Sequence, residues 1–204
     1  MTNDFFQQKQ WLFDRWAPSY DRLLPSVFYR AIHKRLLDYV QLPDRPQVLD
    51  LGCGTGRLLD RLVAQLPDLF GIGCDLSSEM IHQARLAKRH PQLIFVEGNA
   101  EALPFANEQF DAVFNTISFL HYPNPTAVLT EVRRVLQPNG RFYLVDFTPG
   151  QWIKPTTEIK LPSNIRFYSP FVREHFGQQS GLSCLGHHYL LGPVLLTEFG
   201  VMLE

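Results

Sequence analysis

From Gln47 to Phe147 the chain alternates short, unbroken apolar runs with amphipathic stretches, and that rhythm leaves few folds open. Val48–Leu51, Phe70–Cys74, Leu93–Val96, Phe110–Asn115 and Arg141–Phe147 lack the polar alternation of a strand with one wet face, so they read as strands covered on both sides. The stretches between them carry helical spacing. Thr55–Leu66 lines up Leu58, Leu59, Leu62, Val63 and Leu66; a helix capped by Ser77 lines up Met80, Ile81, Ala84 and Ala87. A third helix begins at Pro125 after Asn124, carries Val128, Leu129, Val132, Val135 and Leu136, and is expected to stop at Pro138-Asn139-Gly140. Buried strands separated by single helices imply an α/β fold built on a parallel sheet.

The flanks read differently. Residues 5–41 form two helical pieces separated by Pro18 and Pro25, with Ser26 capping a helix that buries Phe28, Ile32, Leu36 and Val40. Residues 151–168 are irregular, Ser169–Gln179 reads as a helix, and Leu182–Leu191 and Val194–Leu203 meet at Gly192-Pro193. A join so short forces the two runs into an antiparallel pair. No repeat or long linker divides the chain, so one domain is expected: a helical cap over 1–46, a ligand-binding core over 47–148, and a substrate loop and hairpin over 149–204.

Composition excludes several functions. The 204 residues carry 19 Lys+Arg against 20 Asp+Glu, a balance unlike that of a nucleic-acid binder. The densest basic stretch, Arg85, Lys88, Arg89 and His90, closes a helix, where positive charge complements the dipole. No uncharged apolar run approaches the roughly 18 residues of a membrane span, and MTNDFFQQKQ has no leader character. Cys53, Cys74 and Cys184 form no CxxC pair and suggest no Cys/His ligand set, so no metal is expected and a cytoplasmic, reducing setting is. Oligomeric state cannot be read from the sequence.

The chemistry concentrates in Asp50-Leu-Gly52-Cys53-Gly54-Thr-Gly56, where the first strand turns into the first helix. Glycines there let backbone approach a ligand at the carboxyl edge of the sheet. A dinucleotide fingerprint needs its last glycine where this chain has Arg57, and no Walker loop follows. Asp50 instead suits a ligand with a cationic end. Asp75, at the end of the second strand, can accept from both hydroxyls of a ribose, with Leu76 and Met80 placed to pack on a base.

These motifs resemble those of the class I S-adenosylmethionine-dependent methyltransferases: VLDLGCGTGRLL, GCDLSSEMI, EGNAEALPF, FDAVFNTISFLHY and VRRVLQPNGRFYLVDF occur in order over about residues 47–148. The resemblance implies a Rossmann-like seven-stranded sheet, order 3-2-1-4-5-7-6 with strand 7 antiparallel, and S-adenosylmethionine as cofactor. By position, Gly52, Cys53, Gly54 and Gly56 line the methionine and ribose part, Asp50 supports the loop or the ammonium, and Asp75 holds the ribose. Asn99 and Ala100 meet the adenine, Asn99 standing where Asp is more frequent, and Asn115 and Thr116 lie under the methionine portion. Phe13-Asp14-Arg-Trp-Ala17-Pro-Ser-Tyr20-Asp21 resembles the opening of ubiquinone/menaquinone-biosynthesis C-methyltransferases, which places Tyr20 beside the cofactor. Arg22-Leu23-Leu24-Pro25 departs from that pattern, so quinone specificity does not follow.

The resulting expectation is in-line methyl transfer to a small-molecule acceptor, achieved mainly by positioning and releasing S-adenosylhomocysteine. His121 is the candidate base or substrate contact, with Asp146 an alternative that caps or orients. His187 and His188 face opposite sides of a strand and are read as strand residues. Trp152, Ile153 and Phe167 are expected to cover the acceptor pocket. A protein that binds the cofactor without transfer, or an NAD-dependent oxidoreductase, remains an alternative at this point.

Overall fold

The structure is a computed structural model that describes residues 25–87, 90–149, 158–160 and 165–202. Tyr20, the first helical piece, Lys88, Arg89, Trp152 and Ile153 lie outside the described residues.

The element order is α1 (Pro25–Leu37), β1 (Gln47–Leu51), α2 (Arg57–Gln65), β2 (Phe70–Asp75), α3 (Ser78–Ala87), β3 (Leu93–Glu97), β4 (Phe110–Thr116), a 3-10 turn (Phe119–His121), α4 (Pro125–Val135), β5 (Leu136–Phe147), β6 (Glu158–Lys160), β7 (Arg166–Tyr168), α5 (Pro170–Gln179), β8 (Leu182–Leu191) and β9 (Val194–Val201). Seven strands form one sheet in the order β3-β2-β1-β4-β5-β9-β8, and β6 and β7 form a separate two-stranded ribbon. The first five strands pair in parallel, whereas β9 is antiparallel to both β5 and β8. Numbered within the sheet, this is the expected 3-2-1-4-5-7-6.

Period-two alternation inside each buried strand divides the core into two layers. Val48, Ala112, Phe114, Tyr143 and Val145 point to the face covered by Ile32 and Leu36 of α1, Leu58, Leu59, Leu62 and Val63 of α2, and Ile81 and Ala84 of α3. Leu49, Leu51, Val113, Phe142 and Leu144 point the other way, under Val128, Leu129, Val132 and Val135 of α4 and beside Val172 and Phe176 of α5. Burial on both faces is why these strands show no polar alternation.

Local structure differs from the sequence reading in several places, among them the stretch 151–168, read as irregular, whose described residues pair as the β6–β7 ribbon. α1 starts at Pro25, so Ser26 lies within it. α2 starts at Arg57 because Thr55 and Gly56 remain in the turn, and Leu66, its C-cap, is 37% exposed rather than on the buried stripe. α4 ends at Val135, before Pro138-Asn139-Gly140. The N–H groups of Glu108 and Gln109 donate to the carbonyls of Arg134 and Val135, so the helix end is satisfied without a glycine cap. The chain passes directly into β5, whose start is bulged between the Phe110 and Ala112 pairings. Two capping expectations are met: Ser77 Oγ accepts from the Met80 N–H at 3.1 Å, and Asn124 accepts from the Ala127 N–H at 3.1 Å.

One residue without a sequence signal joins the terminal hairpin to the sheet edge. Arg173 of α5 is 1% exposed and donates to the carbonyls of Tyr168, Leu195, Asp146 and Phe147 and to Thr197 Oγ1, over 2.9–3.4 Å. Burial lowers its pKa to about 10, so it stays charged at neutral pH. Arg173→Met strands those acceptors in a dry site, and a loss of about 3 kcal/mol or more is expected, read as a lowered urea midpoint.

Candidate functional site

The sheet order reverses at β1: β2 and β3 lie to one side, β4 and the remaining strands to the other. At such a switch point the turns leaving adjacent strands run apart and open a crevice beyond the carboxyl ends. Two clefts meet there. The first encloses about 840 Å³ and is bordered by Gly52, Asp75, Leu76, Met80, Asn99 and Ala100 on one side and by Thr116, Ser118, His121 and Tyr122 on the other. The second, about 880 Å³, lies between α1 and the glycine turn, among Tyr29, His33, Asp50, Cys53, Arg57 and Arg61. Gly52, Gly54 and Thr116 border both.

The turn between them is held from below. The N–H groups of Gly52 and Cys53 donate to the Cys74 carbonyl at 2.7 and 3.2 Å. A Cβ on Gly52 would come within 2.4 Å of Ser118 Oγ. Gly54 has φ +52° and nothing within 4 Å of the place a Cβ would take, so this glycine keeps open a space facing both clefts. Gly56, expected to line the cofactor, does not border either cleft: its Cα side packs on Phe95, 2.6 Å from a notional Cβ. It serves close approach of helix and sheet.

Asp75 receives the N–H of Gly54 on Oδ2 at 2.8 Å and that of Ser77 on Oδ1 at 2.9 Å, and so fixes the turn while bordering the first cleft. Asn99 Oδ1 accepts from the Glu101 N–H at 3.0 Å, an Asx turn that presents Asn99 and Ala100 to the same cleft. Asn115 is fully buried and borders neither cleft. Its Nδ2 lies 2.8 Å from the Leu51 carbonyl, 2.7 Å from Ser118 Oγ and 3.0 Å from Tyr122 Oη, so it forms part of the floor beneath the first cleft. Thr116 alone of that pair reaches the cavity.

Asp50 is 1% exposed and its Oδ1 has no hydrogen-bond partner among the described residues. Burial first, then the neighbouring Asp75 charge, pushes its pKa up to about 8. Across the second cleft, burial and the Arg61 guanidinium push His33 down to about 3; its Nδ1 stands 2.6 Å from Arg61 Nη1 and accepts from it as neutral imidazole. His33 and Arg61 carried no sequence signal, because only the packing of α1 over the turn brings them there.

His121 sits on the 3-10 turn after β4 and borders the first cleft. Asp146, at the end of β5, does not border it. Its Oδ2 accepts from the Leu120 N–H at 2.8 Å, and burial raises its pKa to about 6, so it orients the turn that carries His121.

Two clefts thus meet at the glycine turn, Asp75 bordering the first and Asp50 the second, with Gly54 open between them. Residues 49–144 match the family described as a methyltransferase domain. The chain is 30% identical to a 2-phytyl-1,4-naphtoquinone methyltransferase of Thermosynechococcus vestitus, over 91% of this chain and 95% of that one. The chain belongs to the class I S-adenosylmethionine-dependent methyltransferases. A demethylmenaquinone methyltransferase of Thermotoga maritima is 35% identical over 79% of this chain and 70% of its own. Among solved structures, a putative methyltransferase of Haloferax volcanii, in complex with a methyltransferase activator, superposes with a TM-score of 0.79 at 22% identity, covering 93% of this chain and 97% of that one. That likeness concerns the fold. S-adenosylmethionine is the methyl donor of this methyltransferase, and the residues around the two clefts suit it.

The unpartnered acid predicts a pH dependence. Its folded pKa of about 8 lies above the usual carboxylate value near 3.9, so the folded state holds a proton that the unfolded state has lost. Stability of the cofactor-free protein therefore falls as pH rises from about 4 to 8, by at most about 1.4 kcal/mol per unit. Asp50→Asn is expected to flatten that slope in urea unfolding at pH 5.5 and pH 8.

Proposed function

We propose that the chain transfers a methyl group to a small-molecule acceptor held between the 3-10 turn, the carboxyl end of β5 and the segment preceding α5, mainly by positioning. The observation that carries this is the juxtaposition, around one cleft, of the cofactor-type motifs and His121. In this reading Asp75 meets the ribose, Leu76, Met80, Asn99 and Ala100 meet the base, and Gly52, Gly54 and Thr116 meet the methionine part, with Asp50 opposite its ammonium. Tyr20 is assigned to the covering segment on its sequence motif. The bound cofactor supplies an electrophilic methyl on a positively charged sulfur.

The chain's own residues do the remainder. Alignment of two reactants in a water-poor cleft is worth roughly 7–11 kcal/mol in favourable cases, enough to make a base optional. Where the acceptor is a phenol or carbon acid, His121 takes its proton, and Asp146, through Leu120, keeps the turn in place. The rings of Phe28, Phe147 and Phe167 form a contiguous apolar group beside the end of β5, Phe28 stacked on Phe147 with centroids 6.0 Å apart and Phe167 edge-on to Phe147 at 6.4 Å. Such a surface suits an apolar or aromatic acceptor, in keeping with relatives named for a naphthoquinone and for demethylmenaquinone. The reading involves no nucleic acid, given the near-zero net charge. A reducing, cytoplasmic setting is supported by three free cysteines, and no helix among the described residues is long and apolar enough to cross a membrane.

Tritiated methyl transfer, measured over a panel of reduced naphthoquinones, phenols and fatty acids, tests the proposal. Transfer to at least one small acceptor is expected; calorimetric binding of the cofactor with no transfer to any of them would leave a binding protein instead. His121→Ala is expected to lower kcat by about 10²-fold or more on a proton-losing acceptor while cofactor affinity changes little. Gly54→Ala should fold, at a cost of about 1–2 kcal/mol for the left-handed φ, yet lose cofactor affinity because its methyl enters the open space.

A further inference from the structure

On the face of the sheet away from the glycine turn's helices, the terminal hairpin brings together three groups that methyl transfer does not use. Cys184 and His187 are three apart on β8, a spacing that puts them on opposite faces of a regular strand. β8 is not regular there. The register shifts between Cys184 and Gly186, and this bulge turns both side chains to the same side. Glu174 of α5 completes the group. Its Oε1 is 2.7 Å from His187 Nε2, Cys184 Sγ is 3.7 Å from the same nitrogen, and all three candidate ligand atoms lie within 4.8 Å of one another. Their spacing in sequence shows no Cys/His ligand pattern, yet the fold brings them together.

We propose that Glu174, Cys184 and His187 form a three-ligand binding site for Zn²⁺ or a similar divalent transition metal. The distances suit that ion: with Zn–S near 2.3 Å and Zn–N near 2.0–2.1 Å, tetrahedral angles separate sulfur from nitrogen by about 3.5 Å. The carboxylate stands closer to the imidazole than a shared ion allows and has to swing out by roughly half an ångström. Its side chain is 40% exposed, free to do so, and the His187 side chain is 21% exposed, so water can take the fourth position.

The second shell is in place as well. His187 Nδ1 lies 3.1 Å from Thr197 Oγ1 on β9, which orients the ring and directs Nε2 at the group. Thr197 is fully buried and accepts from Arg173 Nη1 at 3.4 Å. On binding, the thiol loses its proton to solvent and sulfur donates to the metal as thiolate, with no change of oxidation state. The site bridges α5 to β8 and lies apart from the two clefts.

The test is titration of tag-free, metal-free full-length protein with Co²⁺. One equivalent is expected to produce a thiolate-to-cobalt charge-transfer band and tetrahedral ligand-field bands, both removed by added Zn²⁺. Cys184→Ser should abolish the charge-transfer band, and His187→Gln should weaken binding by about 100-fold or more. Thr197→Val should weaken it by about tenfold by releasing the imidazole, an effect a mere packing role would not produce on the metal. Circular dichroism of each metal-free variant checks that it folds. No thiolate band from the folded wild type, or a band that survives Cys184→Ser or is unmoved by His187→Gln, overturns the proposal. Because the readout is spectroscopic, its failure is independent of methyl transfer.

Discussion

A buried carboxyl group with one oxygen that finds no hydrogen-bond partner among the described residues is the constraint around which this molecule is arranged. Asp50 ends in the interior with one unpartnered oxygen, beside a second acid on the next strand. Burial of such a group without compensation opposes folding. The protein tolerates it because the surrounding elements are over-determined: two covered faces of a parallel sheet hold β1 in a single register. In the proposed reading, a cationic ligand group beside Asp50 would relieve a penalty the fold already carries.

The same economy of parts governs the neighbouring groups. Asp75 is an anchor before it is a contact, since its two oxygens hold Gly54 and Ser77 and so set both the glycine turn and the start of α3. Asn115, Ser118 and Tyr122 form a hydrogen-bonded floor under Gly52, and a side chain at Gly52 would collide with that floor. Asp146 fixes the turn bearing His121 from underneath. In each case a polar group at the end of a strand positions a loop on the edge above, which is how a rigid sheet confers precision on irregular backbone.

How much of this was visible in the sequence follows from the range of the interactions involved. Helices and strands were legible because buried periodicity is local, and the antiparallel hairpin was legible because Gly192-Pro193 is too short for anything else. Much of the border of the first cleft was legible because Gly52, Gly54, Asp75 and Asn99 stand at or just beyond the carboxyl ends of successive strands. Pro138-Asn139-Gly140 reads as a helix stop until the residues before β4 are seen to satisfy the end of α4 first. Arg173 and the His33–Arg61 pair depend on segments far apart in the chain. A bulge, which shifts one residue in a strand, was enough to hide the relation of Cys184 to His187.

The terminal hairpin shows what these distant contacts accomplish. In a parallel α/β sheet, β5 would be an edge with its backbone groups exposed, and β9 closes it by pairing in the opposite direction. That closure depends on Arg173, whose guanidinium spans from the end of β5 to β9, and on the adjacent Glu174, which reaches β8 through His187. Two consecutive residues of one helix therefore tie three strands. The end of β5 carries Asp146, and Asp146 supports the turn that bears His121, so the integrity of the hairpin bears directly on the acceptor side of the cleft. Variation in the tail of this chain should accordingly alter acceptor placement before it alters cofactor binding, because the cofactor side is anchored by β1 and β2, on the opposite side of the switch point.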